Sequence, residues 1–140
     1  MPWLWFALLS AFFAALTAIL AKIGIRDVDS NVATAIRTTV VLIFAWGVVA
    51  ARGGAESIPT LGKQTWVFLV LSGLATGMSW LFYFRALQLG PASRVAPIDK
   101  LSVALTITLA FIILGEKPTF GGVLGGALIT AGVLVVALVK

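Results

Sequence analysis

Ala92-Ser93-Arg94-Val95-Ala96-Pro97-Ile98-Asp99-Lys100-Leu101, continuing without another charge to Phe111-Ile112-Ile113-Leu114, decides the reading of this chain. The stretch is long and apolar enough to cross a bilayer, which takes about 20 residues. It nonetheless holds Asp99 and Lys100. An ionisable side chain at membrane depth costs about 2.5–3.5 kcal/mol on insertion scales. Such a group persists where it lines a polar cavity, meets a partner or handles a solute. The pair therefore points to a transport or channel protein.

Composition agrees with a membrane protein. The chain has 140 residues, 61% hydrophobic and 11% charged, with a mean hydropathy of +1.12. A soluble domain is roughly half apolar and about a quarter charged. Ten Lys/Arg against five Asp/Glu give a net charge of +5. The basic residues are dispersed through short loops, which reads as a topology and lipid-headgroup signal. Nucleic-acid binding needs a basic stripe on a reachable surface, and the sequence offers none. The chain has no Cys and no His. That removes disulfides, thiol chemistry, the usual zinc ligands and histidine acid–base catalysis. The carboxylates are few and scattered, so neither an enzyme nor a cofactor or metal site is expected.

Five apolar segments follow one another at about 3–21, 32–51, 65–87, 92–114 and 119–139. The expected fold is an all-α membrane protein with one domain over residues 1–140. Charges and breakers fill the separators, ending with the turn Gly115-Glu116-Lys117-Pro118. The first segment lacks a positive leading region, and its apolar run exceeds the roughly 7–15 residues of a signal peptide, so it is read as a span. Five spans put Lys22, Arg26, Arg85, Arg94 and Lys140 on one side, and Arg52, Lys63 and Lys117 on the other. Positive charge collects on the inside, which favours an outside N-terminus in a multi-pass inner-membrane protein.

Polar residues within the spans form stripes. Ser72, Thr76, Ser79 and Tyr83 recur at helical spacing and share a face. In the fourth segment Asp99, Ser102 and Thr106 share a face, with Lys100 about 100° away. Thr34, Arg37 and Thr38 cluster near one end of the second, and Ser10 and Thr17 align in the first. Together these faces are expected to line a polar cavity walled by Trp46, Trp80 and Tyr83. Serine and threonine in membrane helices also bond their own backbone or a neighbouring helix. Trp3, Trp5 and Trp66, near predicted ends, suit the interfacial belt.

Adjacent helical residues do not face each other, so a tight Asp99–Lys100 pair is not expected. The sequence instead suggests Asp99 with Arg85 or Arg94, and Arg37 with a helix C-terminal carbonyl. A structural ion-pair network and a solute or proton site both remain open. Arg37 and Lys100 together would suit an anionic or carboxylate-bearing solute. Glycines mark close helix packing: Gly121-Gly122 and Gly125-Gly126 overlap two small-xxx-small patterns, followed by Gly132. Such spacing lets helices approach within a subunit or across a dimer.

The run Ala86-Leu87-Gln88-Leu89-Gly90-Pro91-Ala92-Ser93, then Ala96-Pro97, Leu114-Gly115-Glu116-Lys117 and Gly126 through Gly132-Val133 resembles the second part of an EamA domain of the drug/metabolite transporter superfamily. Arg37 and Lys22 match positions where that family carries basic residues in its first two helices. Most members fuse two five-helix repeats in opposite orientation; this chain resembles the single-repeat, five-span bacterial and archaeal type. The resemblance implies an antiparallel pair of copies, or a heteromer with a second small subunit, making ten helices around a solute cavity with alternating access. The expected function is secondary transport of a small polar or zwitterionic metabolite. Asp99, Lys100 and Arg37 would bind charge or couple ions, and Ser79, Trp80, Tyr83 and Ser102 would shape the cavity. Alternatives are a flippase for a lipid-linked substrate, using Arg37, Arg85 and Arg94, and a non-transporting subunit that stabilises a partner. The Asp99-Lys100 dipeptide is not a general family feature, and the glutamate of the first helix of small multidrug exporters is missing.

Overall fold

The structure, a computed structural model, describes residues 2–139; Lys140, counted in the orientation bias, lies outside them. Helix α1 spans Pro2–Gly24, α2 Ser30–Arg52, α3 Lys63–Leu89, α4 Ala92–Asp99, α5 Leu101–Ile113 and α6 Phe120–Leu138. A short 3-10 turn, Gly54–Thr60, links α2 to α3. No strand occurs among the described residues. Five stretches are long and apolar enough to cross a membrane, with Ala92–Ile113 counted as one of them. At 1.5 Å per residue, the 23 residues of α1 or α2 reach about 35 Å, enough for a hydrocarbon layer of about 30 Å.

Local chemistry sets the ends. Pro2 opens α1, where its missing N–H costs nothing. Asp29 caps α2: its Oδ1 accepts the amides of Asn31 at 2.9 Å and Val32 at 3.2 Å. Gly53 closes α2 at φ 71° and donates its N–H to the Val49 carbonyl, a left-handed conformation that glycine adopts without a Cβ clash. Gly115 makes the turn before α6 at φ 67°, and Thr119 caps α6 by accepting the Gly122 amide at 3.1 Å.

The fourth span departs from the continuous helix expected over 92–114. Pro97 has no N–H to give to the carbonyl one turn earlier, at Ser93. Lys100 then donates its own amide three residues back, to Pro97 O at 2.9 Å. Its backbone sits at φ −72°, ψ −4°. Helix α4 stops, and α5 begins at Leu101. The proline was visible in the sequence; the break it causes within a span was not anticipated.

Between 0% and 11% of each span is buried. Lipid tails are as apolar as leucine, so a membrane helix gains little by hiding hydrophobic side chains from them. Trp3 and Trp5, near the start of α1, and Trp66, in the first turn of α3, are well exposed.

Residues 20–89 form one compact unit; residues 2–19 with 90–139 form another. In the first, α2 and α3 lie against each other, and Ile25, Ser30, Thr34, Phe84 and Leu87 are buried. In the second, α6 lies against α4 and α5, with Gly126 and Val133 buried.

Candidate functional site

Within the unit 20–89, Arg37 stands out. Seven residues after the start of α2, it lies about 10 Å along the helix. Its guanidinium carbon sits 4.2 Å from the centroid of the Trp80 ring and 5.3 Å from that of Phe84. A guanidinium over an aromatic face is attracted by the ring quadrupole, by about 0.5–2 kcal/mol depending on how dry the site is. Phe84 is buried, and Tyr83 meets it edge-on with centroids 6.4 Å apart. The helix C-terminal carbonyl expected for Arg37 is replaced by this aromatic shelf, because Trp80 and Phe84 lie one turn apart on α3 and face α2. Arg37 has no ion pair and no side-chain hydrogen bond among the described residues. Stacking engages the guanidinium's face, and its N–H edge is a planar fork of donors.

Several of the threonines bond within their own helices. Thr34 donates to Ser30 O, Thr38 to Thr34 O, Thr39 to Ala35 O and Thr76 to Ser72 O. Each hydroxyl is thereby satisfied locally, so these residues offer a solute less than their spacing suggested. Ser79 stands on α3 one position before Trp80.

Sequence reasoning missed the fastening at the end of α3. The Gln88 side-chain amide donates to the carbonyls of Val28 and Ile25. Its Oε1 accepts Arg85 Nη1 at 3.0 Å. Lys22 Nζ donates to the Leu87 carbonyl, covering one of the acceptors a helix leaves open at its C-terminus. One glutamine thus ties the segment between α1 and α2 to α3. The available signal was a lone amide near the end of an apolar helix.

The second unit holds Asp99, Lys100 and Ser102. Contrary to expectation, Asp99 and Lys100 pair directly: Lys100 Nζ lies 3.3 Å from Asp99 Oδ2. The expectation assumed a continuous helix; the break at Lys100 removes the regular 100° offset that keeps neighbours apart. Asp99 makes no ion pair with Arg94 among the described residues. Both charged side chains remain partly open, at 53% exposure for Lys100 and 35% for Asp99. Ser102 lies in the first turn of α5; its carbonyl accepts Thr106 Oγ1 at 2.8 Å.

The glycines of α6 divide into two faces. A Cβ on Gly126 would lie 3.4 Å from Ile107 Cδ1, and one on Gly122 would lie 3.0 Å from Thr119 Oγ1 and 4.0 Å from Phe111. That face packs within the unit. Gly121, Gly125 and Gly132 share the neighbouring face, and a Cβ there would meet nothing within 4 Å.

Five stretches long and apolar enough to cross a membrane, one carrying an arginine stacked on aromatic rings and another broken at an ion pair, define a multi-pass membrane protein. Comparison with known proteins completes the assignment. The chain belongs to the EamA-like transporter family, whose model matches residues 1–138. It is 51% identical over 136 residues to an "uncharacterized transporter in cobO 3'region" of a Sinorhizobium species, covering 97% of this chain and 96% of that protein. It is 27% identical to the uncharacterized transporter sll1164 of a Synechocystis strain, covering 92% of this chain but 38% of that protein. No solved structure matches. The chain is a membrane transporter.

Proposed function

We propose that this transporter moves a small polar or zwitterionic metabolite by alternating access, with Arg37 meeting the solute's anionic group. The observation that carries the reading is the Arg37 guanidinium, stacked on Trp80 at 4.2 Å within a span and without a carboxylate partner among the described residues. Arginine at membrane depth marks a solute or ion pathway by default, and its fork of donors matches a carboxylate in bidentate fashion. Tyr83 and Ser79, beside Trp80 on α3, would shape that station. The Asp99–Lys100 pair at the break in the fourth span, with Ser102 one turn on, would supply a second polar station and a hinge. Discontinuous helices mark binding sites in secondary transporters.

The working assembly is an antiparallel pair of copies, with a heteromer as the alternative. The partial coverage of the Synechocystis relative, more than half of which lies beyond the match, supports the idea that a second unit completes the machine. The open Gly121–Gly125–Gly132 face of α6 suits close helix contact.

The test is counterflow in proteoliposomes, screening amino acids and small carboxylates against the unmodified chain, then Arg37→Gln and Arg37→Lys. Lysine keeps the charge and loses the fork. Flux reduced at least tenfold in Arg37→Gln and partly retained in Arg37→Lys supports the reading. Flux unchanged in Arg37→Gln overturns the role of Arg37.

A further inference from the structure

A groove of about 470 Å³ opens where the start of α2 meets the last turns of α3, lined by Asp29, Ser30, Asn31, Leu81, Phe82 and Arg85. None of these belongs to the solute station above. The groove lies wholly within residues 20–89 and at the ends of two spans, so it stands at one membrane surface. Its chemistry is divided. Leu81 and Phe82 are exposed and apolar. Asp29 and Arg85 carry opposite charges in the same groove, yet form no ion pair among the described residues.

Both charges are held in place. Asp29 Oδ1 is engaged by the Asn31 and Val32 amides, which fixes the carboxylate at the helix start. Its second oxygen keeps its lone pairs for another donor. Arg85 is steadied by Gln88 at 3.0 Å, and Gln88 is itself anchored on the Val28 carbonyl. A guanidinium has five donors, so one bond to Gln88 leaves most of them for an anion.

We infer that this groove is a binding site for a phospholipid whose headgroup carries both a phosphate and a primary ammonium. Arg85 meets the phosphate with charge-assisted hydrogen bonds. Asp29 accepts from the ammonium. Leu81 and Phe82 lie against the upper acyl chains. A cation and an anion that line one groove without forming an ion pair, beside exposed apolar side chains, match a zwitterionic head with N–H donors. An anionic headgroup would leave Asp29 facing negative charge. A trimethylated headgroup would offer Asp29 no hydrogen bond.

Native mass spectrometry of the delipidated full chain tests this, titrating phosphatidylethanolamine, phosphatidylglycerol and phosphatidylcholine. Phosphatidylethanolamine is expected to bind about tenfold more tightly than the other two, the ratio one charge-assisted contact supplies. Arg85→Gln is expected to weaken its binding about tenfold. Asp29→Asn is expected to abolish the preference over phosphatidylglycerol while α2 still forms, because asparagine caps as well as aspartate. Arg26→Gln, an exposed charge outside the groove, is expected to change nothing. Equal binding of all three lipids, or a preference that survives both groove variants, overturns the inference.

Discussion

The stack of Arg37 on Trp80 gives a quantity that can be measured apart from any transport assay. The perturbation is a double-mutant cycle joining Arg37→Met and Trp80→Leu, with a second cycle joining Arg37→Met and Phe84→Leu. At 4.2 Å the guanidinium lies well inside the range of about 6 Å over which a ring face attracts a cation, and tryptophan is the strongest such ring. Arg37 is partly buried, so its coupling to Trp80 should fall midway, at about 1 kcal/mol. Phe84, at 5.3 Å and with a weaker quadrupole, should couple by less than about 0.5 kcal/mol. The assay is reversible unfolding in mixed micelles with increasing sodium dodecyl sulfate. Each single mutant also changes packing, and the cycle cancels that term. A Trp80 coupling below about 0.3 kcal/mol, within the scatter of additive sites, would refute the reasoning. So would a Phe84 coupling equal to that of Trp80.

Three further outcomes are expected. Gly126→Leu should destabilise the single subunit by about 1–3 kcal/mol, because its side chain must displace Ile107, whereas Gly121→Leu should change the stability of the single subunit by no more than about 0.5 kcal/mol; both are read from unfolding curves of the protein kept monomeric in detergent, and a reversed order would break the two-face description of α6. Pro97→Ala restores an N–H one turn after Ser93, so amide exchange at residues 101–103 should slow; unchanged exchange would mean that the proline is not what opens the helix. A single cysteine at Lys117, in a chain that has none, should be labelled by an impermeant thiol reagent in about half of the copies if the protein inserts both ways; Lys117 is preferable to Thr119, which caps α6, and labelling from one side only would rule out an antiparallel homodimer.

Much of the architecture was written in hydropathy. Each of the five apolar segments became a span, because a bilayer imposes length and apolarity on anything that crosses it. What hydropathy does not encode is backbone continuity. The fourth segment reads as uniformly apolar past Lys100, yet one missing N–H at Pro97 divides it. That division also reversed the expectation for Asp99 and Lys100, since the rule keeping neighbours apart holds only along an unbroken helix. The site was legible in part. Arg37 was conspicuous as a lone cation in the second segment and Trp80 as one of the aromatic walls expected for the cavity, but their stacking depends on how α2 is rotated against α3. Gln88 escaped notice because its partners are backbone carbonyls some 60 residues away, and such acceptors leave no trace in a sequence.

In the proposed reading, the place of Arg37 along α2 would tie transport to the electrical state of the membrane. About 10 Å along α2 is roughly a third of the hydrocarbon thickness. A unit charge crossing a potential of 100 mV exchanges about 2.3 kcal/mol with the field, so a third of that path is worth about 0.8 kcal/mol. If Arg37 changes sides empty, the return stroke carries a positive charge through that drop and runs faster in one direction than the other. Loaded with a solute of net charge −1, the same stroke would move no net charge, whereas a zwitterion would leave the positive charge in place, so the voltage dependence of the loaded step reports the net charge of the solute. A carrier so built would tie the direction of its empty return, and with it the cycle rate, to the membrane potential without needing a coupling ion at this position.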